Sequence, residues 1–232
     1  MPELTAAINA ALQLIINLDA NLIEIVALSL RISLTAVFLA ALLGMPLGAL
    51  VALTPFRGRG ALVATLNSLM GLPPVVVGLL VYLLLSRAGP LGDLGLLFTP
   101  QAMVIAQTVL VLPIIAALTR QTIADLNLEY EEQLRSFRVG RLHAALTLLW
   151  EGRFSLLTAL LAGFGRASAE VGAVMIVGGN INHVTRVMTT TIALETSKGD
   201  LTLALGLGII LIGLVVIVNS LALSVQHLAK SA

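Results

Sequence analysis

The amino-acid sequence predicts an all-α, polytopic helical membrane protein, with about five transmembrane helices preceded by a short N-terminal interfacial helix. Composition is the first observation behind this: 58% of the 232 residues are hydrophobic and 11% are charged, against about 25% charged in soluble domains. A water-soluble fold could not hide so much apolar surface. Continuity is the second, because the apolar residues form long unbroken runs and not the short alternating segments of a membrane β-barrel. Inside lipid the backbone must satisfy its own hydrogen bonds, so each run is a helix.

Residues 1–21 lack a basic leader segment, and Glu3 and Asp19 flank their apolar part, which reads as a short amphipathic or interfacial helix. The membrane domain covers 22–228, with spans at about 26–53, 61–86, 98–119, 154–177 and 201–226. Each supplies the ~20 apolar residues that cross a ~30 Å hydrocarbon core. In the first span Ala36, Ala40, Gly44 and Gly48 recur every four residues, a smooth stripe that lets another helix approach closely. The second contains Gly71-Leu72-Pro73-Pro74, where adjacent prolines remove backbone donors and break the helix. Pro46 and Pro113, in the first and third spans, read equally as structural kinks or as marks of a substrate site. In the fourth span Arg166 and Glu170 lie four apart, share a face and can pair. Such a pair is either functional or pins neighbouring helices.

Between the third and fourth spans lies a polar island of Asp125, Glu129, Glu131, Glu132, Arg135, Arg138, Arg141, Glu151 and Arg153. Leu126, Tyr130, Leu134 and Phe137 make the apolar stripe of an amphipathic helix that opens with acids at Asp125 and closes with arginines, as its dipole favours. Gly140 permits a turn, and Leu142, Ala145, Leu146 and Leu149 form a second apolar run. The segment 125–150 therefore reads as a helical hairpin. A helix lying on lipid headgroups would carry a mostly basic polar face, whereas this mixed pattern suits a protein partner.

Orientation follows from the positive-inside rule. With the N-terminus outside, the cytoplasmic side receives Arg57, Arg59, Arg120, Arg135, Arg138, Arg141, Arg153 and Lys230, and the outside receives Arg87, Arg186 and Lys198. The C-terminus and the hairpin then fall in the cytoplasm of a multi-pass protein of the cell membrane.

Several classes are excluded. A net charge of +1 gives no case for nucleic acid, and the absence of cysteine removes thiolate chemistry. His143, His183 and His227 stand in no metal-ligand spacing, so no metal site is expected. Ser197-Lys198-Gly199-Asp200 has the wrong order for a phosphate-binding loop, and no such loop occurs elsewhere. No catalytic residues and no cofactor are expected in this chain. A membrane-embedded transferase would need a surface cluster of Asp or His, and an ion-coupled secondary transporter would show inverted repeats; neither stands out.

The hairpin is similar to the coupling loop of binding-protein-dependent ABC importer permeases, with its E-A-A-x-x-x-G signature. Glu132 to Leu142 (EQLRSFRVGRL) resembles the E-A-A-R-T-L-G-A-G-R-L form of molybdate-type permeases, with Gln133 and Leu134 at the two alanines and Arg138 at the signature glycine. Leu72-Pro73-Pro74-Val75-Val76-Val77-Gly78 looks like the proline break of oxyanion permeases. Phe164 to Ala173 resembles their F-x-R-x-x-x-E-[FV]-G-A segment, and Val174 to Gly199 looks like the tungstate permeases in particular.

The resemblance implies a fold like that of type I ABC importer permeases and a role in importing an oxyanion, tungstate first, with molybdate or sulfate as alternatives. It implies a homodimer forming the path, two cytoplasmic ABC ATPase subunits that bind ATP and Mg, and an extracytoplasmic oxyanion-binding protein. Glu131, Glu132, Leu134, Arg135, Phe137, Arg138, Gly140 and Arg141 become ATPase-docking residues, with the turn shifted from Arg138 to Gly140. Pro73, Pro74, Arg166 and Glu170 become candidates for the path or gate, and Gly178, Gly179, Asn180, Thr185 and Arg186 for the loop facing the binding protein.

Overall fold

Helix after helix runs from Ala20 to Lys230 in the computed structural model, and no strand occurs among the described residues. These are 19–230 together with Thr5, Ile8, Asn9, Leu12, Gln13, Ile15, Ile16 and Asn17; for Leu223 and 225–230 only the backbone is described. The interfacial helix expected over 1–21 thus lies largely outside the described residues.

Helix α1 (Ala20–Leu53) starts where the Asp19 carboxylate accepts from the backbone N–H of Asn21 and Leu22, at 3.0 and 3.1 Å. It ends under Arg59, whose guanidinium donates to the carbonyls of Val51 and Ala52, both at 2.8 Å, where a helix leaves acceptors unpaired. Helices α2 (Arg59–Leu69) and α3 (Pro74–Leu85) follow and meet at 100°. The bend falls on Gly71 to Pro73, and Pro74 opens α3 at the position where its missing N–H costs nothing.

Helix α4 (Pro100–Ser136) is the long partner of α1. It corrects the expectation that a new helix opens at Asp125. The helix runs on unbroken beyond residue 119, so Asp125 sits mid-helix, and the dipole reasoning holds only for Arg135 in the last turn. Pro46 and Pro113 lie inside α1 and α4 without ending them. The small-residue stripe faces α4. Ala36 and Ala40 are fully buried, and a Cβ on Gly48 would stand 2.5 Å from the Ala116 carbonyl oxygen.

Helix α5 (Arg141–Glu151) turns back along α4, and α6 (Arg153–Ser168) leaves it at 76° across Gly152. The expected continuous span 154–177 is two helices, because α6 stops at Ser168 and α7 (Gly172–Gly178) restarts after a break. Helices α8 (Met188–Lys198) and α9 (Leu201–Lys230) complete the chain. Among the described residues α1, α4 and Leu201–Ala222 are each long and apolar enough to cross a bilayer, and the number reaches five if each bent pair is one span.

Outward residues are apolar along the long helices, for example Phe38 and Leu42 on α1, Leu79 and Leu83 on α3, and Ile212 and Leu221 on α9. Only a lipid surround makes that favourable. The hairpin packs on the end of α1, through Ala49 and Ala52 with Ile123, Ala145 and Leu148. The 178–188 segment packs on its start, through Met188 with Leu22 and Ile25. Between Glu24 and Leu53, α1 rises about 44 Å at ~1.5 Å per residue, the thickness of a bilayer with its headgroups. The hairpin and this segment therefore stand on opposite faces of the membrane.

Candidate functional site

The hairpin tip is closed by a helix-ending motif. The N–H of Val139 donates to Leu134 O at 3.0 Å and that of Arg138 to Arg135 O at 3.0 Å, the paired bonds that terminate a helix through a left-handed residue. That residue is Arg138, with φ 51°. The expectation that the turn shifts to Gly140 is corrected here: Gly140 is extended, with φ −68° and ψ 153°, and precedes α5 as its N-cap. The backbone keeps the left-handed conformation at the signature glycine position although an arginine occupies it. A side chain costs about 1–2 kcal/mol in that conformation, part of which returns because glycine loses more freedom on folding. Arg138→Gly should therefore raise the thermal midpoint in detergent, by about 2 °C for a net gain near 1 kcal/mol; a lower midpoint would show that Arg138 gains more than it costs.

The hairpin's apolar faces separate differently from the expected pattern. Leu126, Tyr130 and Leu134 do pack inward with Leu148 and Ala145, but Phe137 is 81% exposed. On α5, Leu142, Leu146 and Trp150 lie at i, i+4 and i+8 and are all exposed. Arg153 stacks over Trp150 at 4.8 Å and over Phe154 at 4.6 Å, and donates to Trp150 O at 2.7 Å. Arg135, Arg138 and Arg141 line a separate hollow of the hairpin with Leu53 and Pro55, and all three are exposed, as is Glu132. The Glu131–Arg135 pair at 2.9 Å is largely exposed and contributes little to the fold. Leu146 and Trp150 lie beyond the expected docking residues, which end at Leu142; the signal that could have found them is the lone tryptophan eight residues after Leu142.

At the opposite face the 178–187 loop is held from within. Thr185 is fully buried; its hydroxyl donates to Gly178 O at 2.6 Å and accepts from the N–H of Ile181 at 2.9 Å. Thr190 donates to Asn180 Oδ1 at 2.9 Å. Gly179, Asn180 and His183 take left-handed φ of 71°, 50° and 58°, which makes the tight folding of the loop. Gly178 and Thr185 thus support the loop, while Ile181 and Val184 are its exposed apolar residues. Arg186 is half-buried. Glu24 of α1 pairs with His183 across 2.8 Å and fastens the loop to that helix.

Between the two faces the broken helices meet. Glu170, with 2% of its side chain exposed, accepts from Arg166 Nη1 at 3.1 Å through Oε2 and from the N–H of Ala173 at 3.0 Å through Oε1. One carboxylate therefore closes the end of α6 and caps the start of α7. A Cβ on Gly172 would meet Val75 Cγ2 at 3.0 Å, so the restart of α7 abuts the restart of α3 just after Pro73–Pro74. The Arg166–Glu170 pair and the Pro73–Pro74 restart of α3 thus flank one contact, between Gly172 and Val75. Other elements bind it too: Thr189 Oγ1 donates to Glu170 O at 2.7 Å, and Gln107 Nε2 to Ala167 O at 3.1 Å. The arrangement offers a polar joint at membrane depth, and no acid–base or nucleophilic pair facing an open cleft.

No family model matches the chain. Curated relatives do. A "Probable anion ABC transporter permease protein" of Haloferax volcanii is 41% identical over 205 residues, 86% of this chain and 88% of the relative. The tungstate uptake system permease protein TupB of Peptoclostridium acidaminophilum is 38% identical over 227 residues, 98% of this chain and 100% of the relative. TupB of Campylobacter jejuni is 38% identical over 202 residues, 87% of this chain and 84% of the relative. Molybdenum and sulfate transport permeases align at lower identity. A helical membrane core with an outward-facing hairpin, matched over 86–98% of its length by such relatives, places the chain in the family of ABC transporter permeases for anion uptake.

Proposed function

We propose that this chain is the membrane subunit of an ATP-driven importer for an oxyanion, tungstate first, and that it forms the translocation path as a homodimer. The observation that carries this is the end-to-end similarity to a tungstate uptake permease. In this reading the N-terminus is outside, because the hairpin end gathers Arg57, Arg59, Arg135, Arg138, Arg141 and Arg153. The hairpin end is then cytoplasmic and receives a separate ATPase subunit, which binds ATP and Mg and performs the hydrolysis. The 178–187 loop receives the oxyanion-binding protein on the other side. Both surfaces pack on α1, the hairpin through Ala49 and Ala52 and the loop end through Met188 with Leu22 and Ile25, which supports coupling between them.

Phe137, Leu142, Leu146 and Trp150 are the apolar contact with the ATPase, and Glu131, Glu132, Leu134, Arg135, Arg138, Gly140 and Arg141 shape and surround it. The path runs by the Pro73–Pro74 and Arg166–Glu170 junction. The test is reconstitution with ATPase and binding protein in proteoliposomes. Tungstate-loaded binding protein should stimulate hydrolysis above molybdate- or sulfate-loaded protein; equal or reversed stimulation overturns the tungstate reading. Leu146→Glu with Trp150→Glu should cut that stimulation at least about ten-fold, while the permease stays folded because both side chains are exposed. Undiminished co-purification of the ATPase would sink the docking assignment.

A further inference from the structure

Helix α6 breaks a rule that other membrane helices follow. On α1, α3 and α9 the outward residues include large apolar side chains, as lipid favours. On α6 every large apolar side chain from Phe154 to Phe164 is buried or half-buried. Beyond Arg153, its exposed residues are Ser155, Thr158 and Ala162, with Ala169 just past its end. Together with Arg166 these recur at steps of three and four and so share one face.

That face lies deep in the membrane. Phe164 and Ala167 pack with Val37 and Ala40, which stand about 20–24 Å from Glu24 along the ~44 Å of α1, at ~1.5 Å per residue. At this depth the Arg166 side chain is 30% exposed, although it is paired with Glu170. A hydroxyl can return its proton to its own helix, but an arginine shown to hydrocarbon is among the costliest arrangements in a bilayer. Lipid is therefore not what covers this face. Its charge also has one sign. From Arg153 to Ala169 the sequence holds two arginines and no Asp or Glu, and the carboxylate of Glu170 is turned inward, with 2% of its side chain exposed. The hydroxyls of Ser155 and Thr158 add further donors.

We infer that this face is one wall of the water-filled lane through which the importer passes its anion. Water covers the hydroxyls and the exposed edge of Arg166, and the small side chains of Ala162 and Ala169 keep the lane wide. Arg166 draws anions in and turns cations away. Its bond to Glu170 holds the guanidinium in place and weakens its grip, so that a passing anion is attracted and still released. This rests on the importer reading above, and gives the path a wall from Ser155 to Ala169 that the junction candidates alone do not supply.

The chain contains no cysteine, so a single introduced one is its sole thiol. Thr158→Cys and Ala162→Cys test the wall, and Leu79→Cys and Ile212→Cys, exposed on apolar faces, are the lipid controls. Each full-length chain is reconstituted in proteoliposomes with its ATPase and binding protein. Water-soluble methanethiosulfonates, one anionic and one cationic, are added on both sides of the membrane, without nucleotide and with a non-hydrolysable ATP analogue. In at least one state the wall positions should react about ten-fold or more faster than the controls, because water brings the reagent and supports the thiolate. Normalised to a small free thiol, Ala162→Cys, one turn before Arg166, should favour the anionic reagent roughly three-fold or more after screening. No reaction in either state overturns the proposal; disulfide-linked dimers on mild oxidation then give the face to a second copy, and labelling by a lipid-soluble maleimide at the control rate gives it to lipid. Equal normalised rates overturn the anion wall in favour of a neutral crevice. The labelling does not depend on which anion is carried. A reactive wall beside a failed tungstate stimulation sinks the tungstate reading and leaves this one standing.

Discussion

Gly48→Ala lowers the thermal midpoint of the purified chain in detergent, and Gly48→Leu yields no folded protein. The added Cβ would stand 2.5 Å from the Ala116 carbonyl oxygen and 2.9 Å from the Arg120 nitrogen. Both are backbone atoms of α4, so no side chain can turn away and the two longest inner helices must part. Overpacking of this kind costs about 1–3 kcal/mol for one methyl, and parting α1 from α4 also loosens Ala36, Ala40 and Gly44 along the same stripe. Gly60 is the internal comparison. It lies in α2 with nothing within 4 Å of its would-be Cβ. Gly60→Ala should hold or raise the midpoint, for a gain of up to about 1 kcal/mol in stability, because alanine is the better helix former. If Gly48→Ala behaves like Gly60→Ala, the α1–α4 contact is not what holds this fold.

That stripe is the part of the fold that sequence exposes best, and the reason is physical. A four-residue recurrence of Ala and Gly on an apolar helix has few uses besides close approach, so Ala36 to Gly48 pointed at a partner helix without naming α4. Hydropathy marked the apolar runs because lipid tolerates only satisfied backbone. It carried no direction, and so could not show that α4 runs unbroken from Pro100 into the hairpin, or that α2 and α3 meet at 100°. Periodicity placed Phe137 on the side of Tyr130 and Leu134, and the three do line one hollow, but the helix ends at Ser136 and Phe137 stands beyond the packed part of the stripe, exposed. The break at residues 169–171 was the least legible. An Arg and a Glu four apart are the mark of a continuous helix, and here the pair spans a helix end instead. What permits the break is a bond from Thr189, nineteen residues further on, to the Glu170 carbonyl, and no local pattern announces such a bond.

Arg166→Ala should damage the protein more than Glu170→Ala, and the double variant less than Arg166→Ala alone. The order follows from burial. Side-chain exposure is 30% for Arg166 and 2% for Glu170. Removing the arginine strands a carboxylate that has almost no water, whereas removing the carboxylate leaves an arginine that can still reach solvent or headgroups. Breaking a buried pair costs about 3–5 kcal/mol, so Arg166→Ala belongs in that range, and Glu170→Ala falls below it after allowing for the exposure of Arg166. Glu170→Gln separates charge from capping. It keeps an oxygen for the Ala173 N–H but turns an amide NH2, which cannot accept, toward Arg166, so whatever stability it retains over Glu170→Ala measures the cap alone. A double-mutant cycle measured on unfolding and again on anion uptake assigns the pair. Coupling in both means that the pair holds the α6–α7 joint in the working transporter; coupling in unfolding alone confines it to a structural pin. Strictly additive losses in both would leave Arg166 and Glu170 as neighbours without a shared task.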